Sequence, residues 1–203
     1  MLSQTGKPQS LKETPSMADS KITPWKILDS EAGPDLPLFS TRLDRVENPR
    51  NGMRMNAVII ESEDWVNVVA LTPENRVIVV EQHRFGTGKL SLEVPAGVVD
   101  AGESPRETAV RELLEETGYT AGNWQSLGSV ESNPAFMNNH CHFWLARDVV
   151  KTDSQSLDGG EDIGVHELSL EELETAIADG RMRNSLSLLA LGRVFDLRGI
   201  DLS

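Results

Sequence analysis

Cysteine and long apolar runs are nearly absent from this sequence of 203 residues, which contains 1 Cys. The single cysteine, Cys141, excludes an internal disulfide and a cysteine-rich zinc site. No apolar run approaches the roughly 18 residues that a membrane-spanning helix needs. Residues 1–20 also lack the hydrophobic segment of a secretory signal. The sequence therefore predicts a cytoplasmic protein without a membrane partner.

Basic residues are also few relative to acidic ones. The chain has 19 Lys and Arg against 32 Asp and Glu, which gives a formal net charge of −13. Proteins that bind nucleic acid usually carry a basic patch or stripe, whereas the arginines here are scattered among carboxylates. We therefore predict no nucleic-acid partner. An acidic protein that handles phosphates would need divalent cations to bridge the like charges.

Composition divides the chain into three parts. Residues 1–22 are polar and unpatterned, which predicts a flexible tail. Residues 23–55 contain two strand-like pieces, WKIL and LFSTRLDRV, separated by a Gly- and Pro-rich break, and are interpreted as a small N-terminal β segment. Residues 56–203 combine β-branched runs with helical patterns, which predicts an α/β domain.

Two helices in this domain carry clear start signals. Ser104 and Glu107 match a capping box, with Pro105 at the first helical position. Ser169 and Glu172 match a second capping box, in front of the segment LEELETAIA. A third helix is predicted over the segment SLSLLALGRVF.

The first of these helices places three carboxylates on one face. Glu112, Glu115 and Glu116 fall within about 100° of arc, and Leu113 falls on the opposite side. Arg111 can pair with Glu115 one turn on, which would leave Glu112 and Glu116 without a cation. An acidic solvated surface is the simpler interpretation, but clustered oxygen ligands of this kind suit Mg²⁺ or Mn²⁺ rather than zinc.

The residues around this helix match a known motif. Gly97 is followed after five residues by Glu103, and after seven more by the segment RELLEETGY at residues 111–119. This arrangement resembles the Nudix box, G-x5-E-x7-R-E-U-x-E-E-x-G-U, in which U is a bulky apolar residue. Tyr119 stands where an aliphatic residue is usual. The resemblance covers roughly residues 56–203.

The resemblance implies a fold, an activity and a set of metal ligands. Nudix proteins have a mixed β-sheet sandwiched between helices (α/β/α) and use a divalent metal to hydrolyse a nucleoside diphosphate linked to another group. Carried over by position, the implied metal ligands are Glu112, Glu116 and the carbonyl of Ala96, with Glu115 as a ligand of a second ion or as the base. Arg111 and Glu103 are implied to orient these carboxylates.

Residues outside the box are similar to those of the ADP-ribose pyrophosphatases within the superfamily. Pro134 lies 16 residues beyond Gly118, and the segments EQHRFG and LEVPAG resemble that subgroup. This likeness implies hydrolysis of ADP-ribose or a related nucleoside diphosphate sugar to a nucleoside monophosphate and a sugar phosphate. The implied substrate-binding residues are Arg84, Glu93, Val98, Pro134 and Trp25, the last as an aromatic that stacks on the base in dimeric members.

An acidic loop, LDGGEDI, precedes the late strand, where ADP-ribose-cleaving relatives place a base or a further metal ligand. Glu161 matches that position best and is predicted as base, metal ligand or both. Gly159 stands where some relatives have a second glutamate, so Asp158 is the fallback and Glu115 an alternative base. An ordinary turn is the competing interpretation.

Two further predictions concern assembly and histidine. The N-terminal segment is too small to bury all of its apolar side chains alone, namely those of Trp25, Ile27, Leu28 and Phe39. We therefore predict a homodimer formed across this segment. The competing arrangement is a monomer with the segment folded back.

His140 and His142 would share one face of a strand and supply too few ligands for zinc, so a packing role is expected.

Two alternative functions remain open from the sequence. One is a Nudix hydrolase of another nucleotide conjugate, such as a GDP- or UDP-sugar, a dinucleotide or a cofactor. The other is a non-catalytic Nudix fold that senses a ligand, which the intact Glu112, Glu115 and Glu116 disfavour.

Overall fold

The structure is a computed structural model that describes residues 22–198, so the predicted tail lies outside the described residues except at residue 22. Helices and strands in this range have the following bounds: β1 Lys26–Leu36, β2 Phe39–Glu47, β3 Arg54–Glu61, β4 Trp65–Leu71, β5 Val77–Arg84, β6 Lys89–Glu93, β7 Ala96–Val98, α1 Pro105–Thr117, β8 Tyr119–Thr120, β9 Asn123–Glu131, β10 His140–Arg147, β11 Val150–Lys151, β12 Ile163–Leu168, α2 Leu170–Ala178 and α3 Ser185–Gly192. No helix within residues 22–198 has the length and apolar character needed to span a membrane.

The described residues form two compact units. The larger contains residues 64–130 and 140–198, and the smaller contains residues 22–63 and 131–139. The sequence placed a boundary between residues 55 and 56, whereas in the structure strand β3 runs across that point and pairs with β2.

A mixed seven-stranded sheet forms the centre of the larger unit. Its main order is β12-β5-β4-β10-β9, with β6 paired to β5 and β7 paired to β4. Strands β4 and β10 are parallel, while β4 is antiparallel to β5 and β7. The short strand β7 therefore lies at the centre of the sheet, in a position where its backbone faces α1.

Alternate residues of β4 bury their side chains on opposite faces of this sheet. Val66 and Val68 join a cluster with Leu113 of α1, whereas Val69 joins a second cluster with Leu173 of α2 and Leu191 of α3. Such two-sided burial is typical of a sheet covered by helices on both faces. The predicted α/β/α arrangement is therefore confirmed.

Local capping explains where the helices begin. In α1 the Ser104 side chain accepts from the Glu107 N–H, and the Glu107 side chain accepts from the Ser104 N–H. Ser169 and Glu172 make the same two bonds at the start of α2. Both predicted capping boxes are thus confirmed. Helix α1 ends at Gly118, whose φ of 76° is the left-handed conformation that glycine adopts without strain.

The smaller unit contains a three-stranded antiparallel sheet in the order β1-β2-β3. The predicted Gly- and Pro-rich break is wrong, because β1 continues through Pro34. The ladder shifts register between Ala32 and Asp35, and proline, which has no N–H to donate, is tolerated at such an irregularity. The turn at Asn48–Met53 joins β2 to β3 within one sheet, rather than cutting the N-terminal segment off.

Candidate active site

Two carboxylates of α1 are buried against the backbone of β7. Glu112 and Glu116 are 9% and 3% exposed, and the Ala96 N–H donates to Glu116 Oε2 over 3.0 Å. The Glu112 side chain packs on Gly97, where an added Cβ would lie 2.0 Å from its carboxyl carbon. Position 97 therefore admits only glycine without displacing Glu112.

Arg111 binds the surrounding carboxylates with one guanidinium group. Its Nε donates to Glu103 Oε1 over 3.0 Å, and its Nη1 donates to Glu112 Oε1 over 2.8 Å and to Glu115 Oε2 over 3.0 Å. The expectation that Glu112 lacks a cation is therefore wrong, because Arg111 bonds to the adjacent Glu112 as well as to Glu115 one turn further along the helix. Hydrogen bonds from Arg111 and Thr108 lower the pKa of Glu103.

Burial makes the negative charges of Glu112 and Glu116 energetically unfavourable. It raises the pKa of Glu112 to about 7, although the charge of Arg111 acts in the opposite direction. It raises the pKa of Glu116 to about 8, against the hydrogen bond from Ala96, and the charges of Glu112 and Glu161 add to the effect. A site of this kind favours either protonation or an added cation.

A cleft of about 310 Å³ opens beside this cluster, and its lining includes the predicted residues Arg84, Glu93, Ala96 and Val98. Arg84 and Glu93 form a two-point ion pair, with Nε to Oε1 at 2.9 Å and Nη2 to Oε2 at 2.7 Å. Glu93 is buried, whereas the Arg84 side chain is 42% exposed. The guanidinium therefore has donors left for an anion in the cleft.

Comparison with known proteins identifies the family. A family model described as the NUDIX domain matches residues 63–189, which is more than half of the chain. The chain belongs to the Nudix family.

Two relatives and one solved structure show what the chain is similar to. The chain is 36% identical to the methanol dehydrogenase activator of Bacillus methanolicus over 151 residues, which cover 74% of this chain and 81% of the relative. It is 36% identical to the ADP-ribose pyrophosphatase of Bacillus subtilis over 131 residues, which cover 64% and 70%. A crystal structure of an ADP compounds hydrolase matches with a TM-score of 0.75 at 22% identity over 86% of this chain and 94% of that one, which shows a shared fold.

Nudix hydrolases generally use divalent metals, and the acidic cluster of α1 is the candidate site for one. No group of three or more His, Cys, Asp or Glu side chains within residues 22–198 is already arranged to hold an ion. The donor chemistry nevertheless fits a hard cation, because buried carboxylate oxygens lie beside a backbone strand. A cation would also offset the charge that burial makes costly. The residues present therefore fit a divalent metal.

The acidic loop is fixed at its start to the end of the Nudix helix α1. Gln155 Nε2 donates to the carbonyls of Glu116, over 2.7 Å, and Ile163, over 3.0 Å. The Ser156 N–H donates to the carbonyl of Glu115 over 2.9 Å. These bonds satisfy helix-end carbonyls that have no partner within the helix.

The tip of that loop carries the predicted Asp158 and Glu161. Glu161 Oε2 accepts from the Asp158 N–H over 3.0 Å, and the Glu161 side chain is otherwise exposed. Its negative charge contributes to the raised pKa values of Glu112 and Glu116. Gly159 has open space around its Cα.

Two predicted substrate residues lie in the smaller unit. Trp25 precedes β1 and is 39% exposed. Pro134 is exposed in a turn in which the Phe136 N–H donates to the Asn133 carbonyl over 3.1 Å.

The two histidines of β10 pair with an aspartate. The His140 N–H donates to Asp64 Oδ1 over 2.7 Å, and His142 Nε2 lies 2.8 Å from Asp64 Oδ2. Burial raises the pKa of Asp64, but these hydrogen bonds outweigh it and the net shift is downward.

Five residues of the cleft wall were missed by sequence reasoning: Trp65, Val66, Asn67, Asn184 and Leu186. Asn184 carries a readable signal, because asparagine ahead of an apolar run is a favoured helix N-cap. Nothing in the sequence shows that it also bonds to Glu93, which lies 91 residues away.

Replacing Glu116 with glutamine tests whether the buried charge is held for a metal. The amide keeps an oxygen for the Ala96 N–H but carries no charge. The folded pKa of about 8 exceeds the ordinary 4.5, so ionisation of Glu116 costs stability as the pH rises through that interval. We expect metal-free Glu116→Gln to have a Tm at or above that of the wild type at pH 8, and a divalent salt to raise its Tm far less.

Thermal unfolding with a chelator and with a divalent metal salt measures both effects. Glu115→Gln is the matched control, since that side chain is 41% exposed and its change should leave the metal-free Tm nearly unaltered. A metal-free Tm well below wild type for Glu116→Gln would contradict the interpretation.

Proposed function

We propose that this Nudix protein hydrolyses the pyrophosphate bond of ADP-ribose or a related nucleoside diphosphate sugar, with Mg²⁺ or Mn²⁺, in the cytoplasm. The products would be a nucleoside monophosphate and a sugar phosphate. The observation that carries this proposal is the pair of buried carboxylates, Glu112 and Glu116, beside a cleft that contains the Arg84–Glu93 ion pair. The similarity to a relative named ADP-ribose pyrophosphatase supports the substrate class.

The proposed metal ligands are Glu112, Glu116 and the Ala96 carbonyl, with Glu115 and Glu161 available for a further ion. When bound, the metal would neutralise the pyrophosphate and lower the pKa of a bound water. Arg111 and Glu103 orient the carboxylates, because the guanidinium is bonded to Glu103, Glu112 and Glu115 together.

Substrate binding is assigned to the cleft. Arg84 would donate to a phosphate oxygen while Glu93 fixes its guanidinium plane. Val98, at the mouth of the cleft, would contact the sugar or base, and its exposed apolar side chain suits that contact. Trp25 and Pro134 are also proposed to contact the substrate, Trp25 by stacking on its base.

We propose Glu161 rather than Glu115 as the base. Glu115 Oε2 already accepts from the Arg111 guanidinium over 3.0 Å, so this oxygen is occupied. Glu161 accepts instead from the neutral backbone N–H of Asp158 over 3.0 Å, and its negative charge acts on Glu116. Its carboxylate would take a proton from water as the water oxygen bonds to phosphorus, and the bond from phosphorus to the bridging oxygen would break.

A substrate panel tests the proposed function. The purified protein with MgCl₂ should convert ADP-ribose to AMP and ribose 5-phosphate, identified by chromatography, and should act more slowly on GDP- and UDP-sugars. Glu112→Gln is the matched control, expected to lose activity by at least a factor of about 100, because a charge that binds the metal is lost. Preference for a dinucleotide or GDP-sugar would favour the other nucleotide conjugates, and turnover of nucleoside triphosphates alone would reject the substrate class.

The base is tested by paired substitutions in the acidic loop. Glu161→Gln should lower kcat by roughly 10²–10⁴-fold with little change in KM, since general-base catalysis contributes a factor of that order. Asp158→Asn is the control, because the backbone N–H of residue 158 that bonds to Glu161 is kept. Steady-state kinetics would identify Asp158 as the base if the larger loss followed its substitution.

We further propose a homodimer formed through the smaller unit. Ile27 of β1, Val46 of β2 and Met55 of β3 lie in register across the sheet and form one apolar row. Ile27 and Met55 are 57% and 47% exposed, which is a large apolar surface for a sheet of three strands. A second copy is the proposed cover, because a self-complementary apolar row suits a two-fold axis.

Light scattering at several concentrations tests the dimer. The wild type should give about twice the mass of one 22.3 kDa chain. Ile27→Asp combined with Met55→Asp should give the monomer mass, because charges would be buried in the interface. Val150→Asp, at an exposed apolar position of the larger unit, is the control and should remain dimeric. A wild-type mass of one chain at all concentrations would reject the proposal.

A further inference from the structure

The start of α3 is bonded to the strand that carries Glu93. The Leu92 N–H donates to the Arg181 carbonyl over 3.0 Å, and the Val94 N–H donates to Ser187 Oγ over 3.3 Å. Ser187 is fully buried. The segment from 181 to 187 therefore holds the backbone on both sides of Glu93.

Between these two backbone bonds, Asn184 contacts the Glu93 carboxylate. Its Nδ2 donates to Glu93 Oε2 over 3.0 Å. Its Oδ1 accepts from the N–H groups of Leu186, over 3.0 Å, and Ser187, over 3.1 Å, as the N-cap of α3. Both ends of this amide are therefore in use, and the helix start fixes its orientation.

The same oxygen of Glu93 also accepts from Arg84. Arg84 Nη2 lies 2.7 Å from Oε2, and Arg84 Nε lies 2.9 Å from Oε1. Glu93 is 1% exposed, so water cannot replace a missing donor at little cost. The plane of the Glu93 carboxylate sets the plane of the guanidinium, because the two groups bond at two points.

We propose that Asn184 is a positioning residue for substrate recognition: it locks the Glu93 carboxylate and thereby aims the Arg84 guanidinium into the cleft. This inference rests on the proposed function, in which Arg84 binds a phosphate of the substrate. Asn184 acts here through Glu93 and bears no role in the metal cluster on α1. Its loss should therefore weaken substrate binding while the metal requirement stays the same.

The two roles of Asn184 can be separated by substitution. Serine is a helix N-cap about as good as asparagine, so Asn184→Ser keeps the cap but removes the donor to Glu93. Alanine removes both the cap and the donor. The bonds accepted by the Arg181 carbonyl and by Ser187 Oγ do not involve the side chain of residue 184, so they should keep α3 on the strand in each variant.

Kinetics on ADP-ribose test the proposal. We expect Asn184→Ser to raise KM by roughly 10-fold, with kcat within about 2-fold and the Mg²⁺ half-saturation unchanged, which is the loss expected for one hydrogen bond to a charged group. Its Tm should be near that of the wild type. Asn184→Ala should show the same raised KM as Asn184→Ser, but a lower Tm, because the helix cap is also lost. A wild-type KM for Asn184→Ser would overturn the proposal.

A double-mutant cycle separates positioning from direct contact. If Asn184 acts through Glu93, Asn184→Ser should change kcat/KM by less than 2-fold in a Glu93→Gln background, because the orienting carboxylate is already altered. An undiminished 10-fold effect would mean that Asn184 contacts the substrate itself and would also overturn the proposal.

A measurement without substrate keeps this test distinct from that of the proposed function. Proton exchange at Arg84 Nε, followed by ¹⁵N NMR, should be at least several-fold faster in Asn184→Ser than in the wild type, since the ion pair is less constrained. An unchanged exchange rate would count against the inference even if ADP-ribose is cleaved. Failure of the wild type to cleave ADP-ribose, with faster exchange in the variant, would count against the proposed function alone.

Discussion

Glu112 and Glu116 lie against the backbone of β7 with little access to water, and the rest of the larger unit is arranged around that contact. The contact requires Gly97, because any Cβ would overlap Glu112. It also requires β7 to lie at the centre of the sheet beside β4, and α1 to start and end at fixed points. The capping box at Ser104 and the left-handed glycine after α1 supply those points.

This arrangement costs stability, and Arg111 offsets only part of the cost. The arginine binds Glu103, Glu112 and Glu115, yet the pKa values of Glu112 and Glu116 stay well above their ordinary value because burial dominates. A fold selected for stability alone would place apolar or paired side chains there. The side chains of the protein leave part of this buried negative charge without a counter-charge. Binding of a divalent cation would explain why such a cluster is present.

The sequence was informative wherever local chemistry decides the structure. Both capping boxes, the sheet between helices and the family followed from short segments, because caps and periodicity act over a few residues. It failed where a side-chain rotamer or a partner segment decides the contact. The Arg111–Glu112 bond depends on a rotamer, the passage of β1 through Pro34 depends on its partner strand, and the Asn184–Glu93 bond joins residues 91 apart. Roles of individual site residues stay predictions, since they depend on bound molecules.

The residues proposed for recognition and for catalysis lie on different elements that share one short stretch of chain. The proposed metal carboxylates come from α1, whereas the Arg84–Glu93 pair comes from β5 and β6. Only Val94 and Pro95 separate Glu93 from Ala96, and the Pro95 carbonyl accepts from the Val68 N–H over 2.8 Å. The central strand therefore anchors this stretch between the two functions. A phosphate bound by Arg84 would be held at a fixed distance from the metal ligands, which is the alignment that hydrolysis of one chosen bond demands.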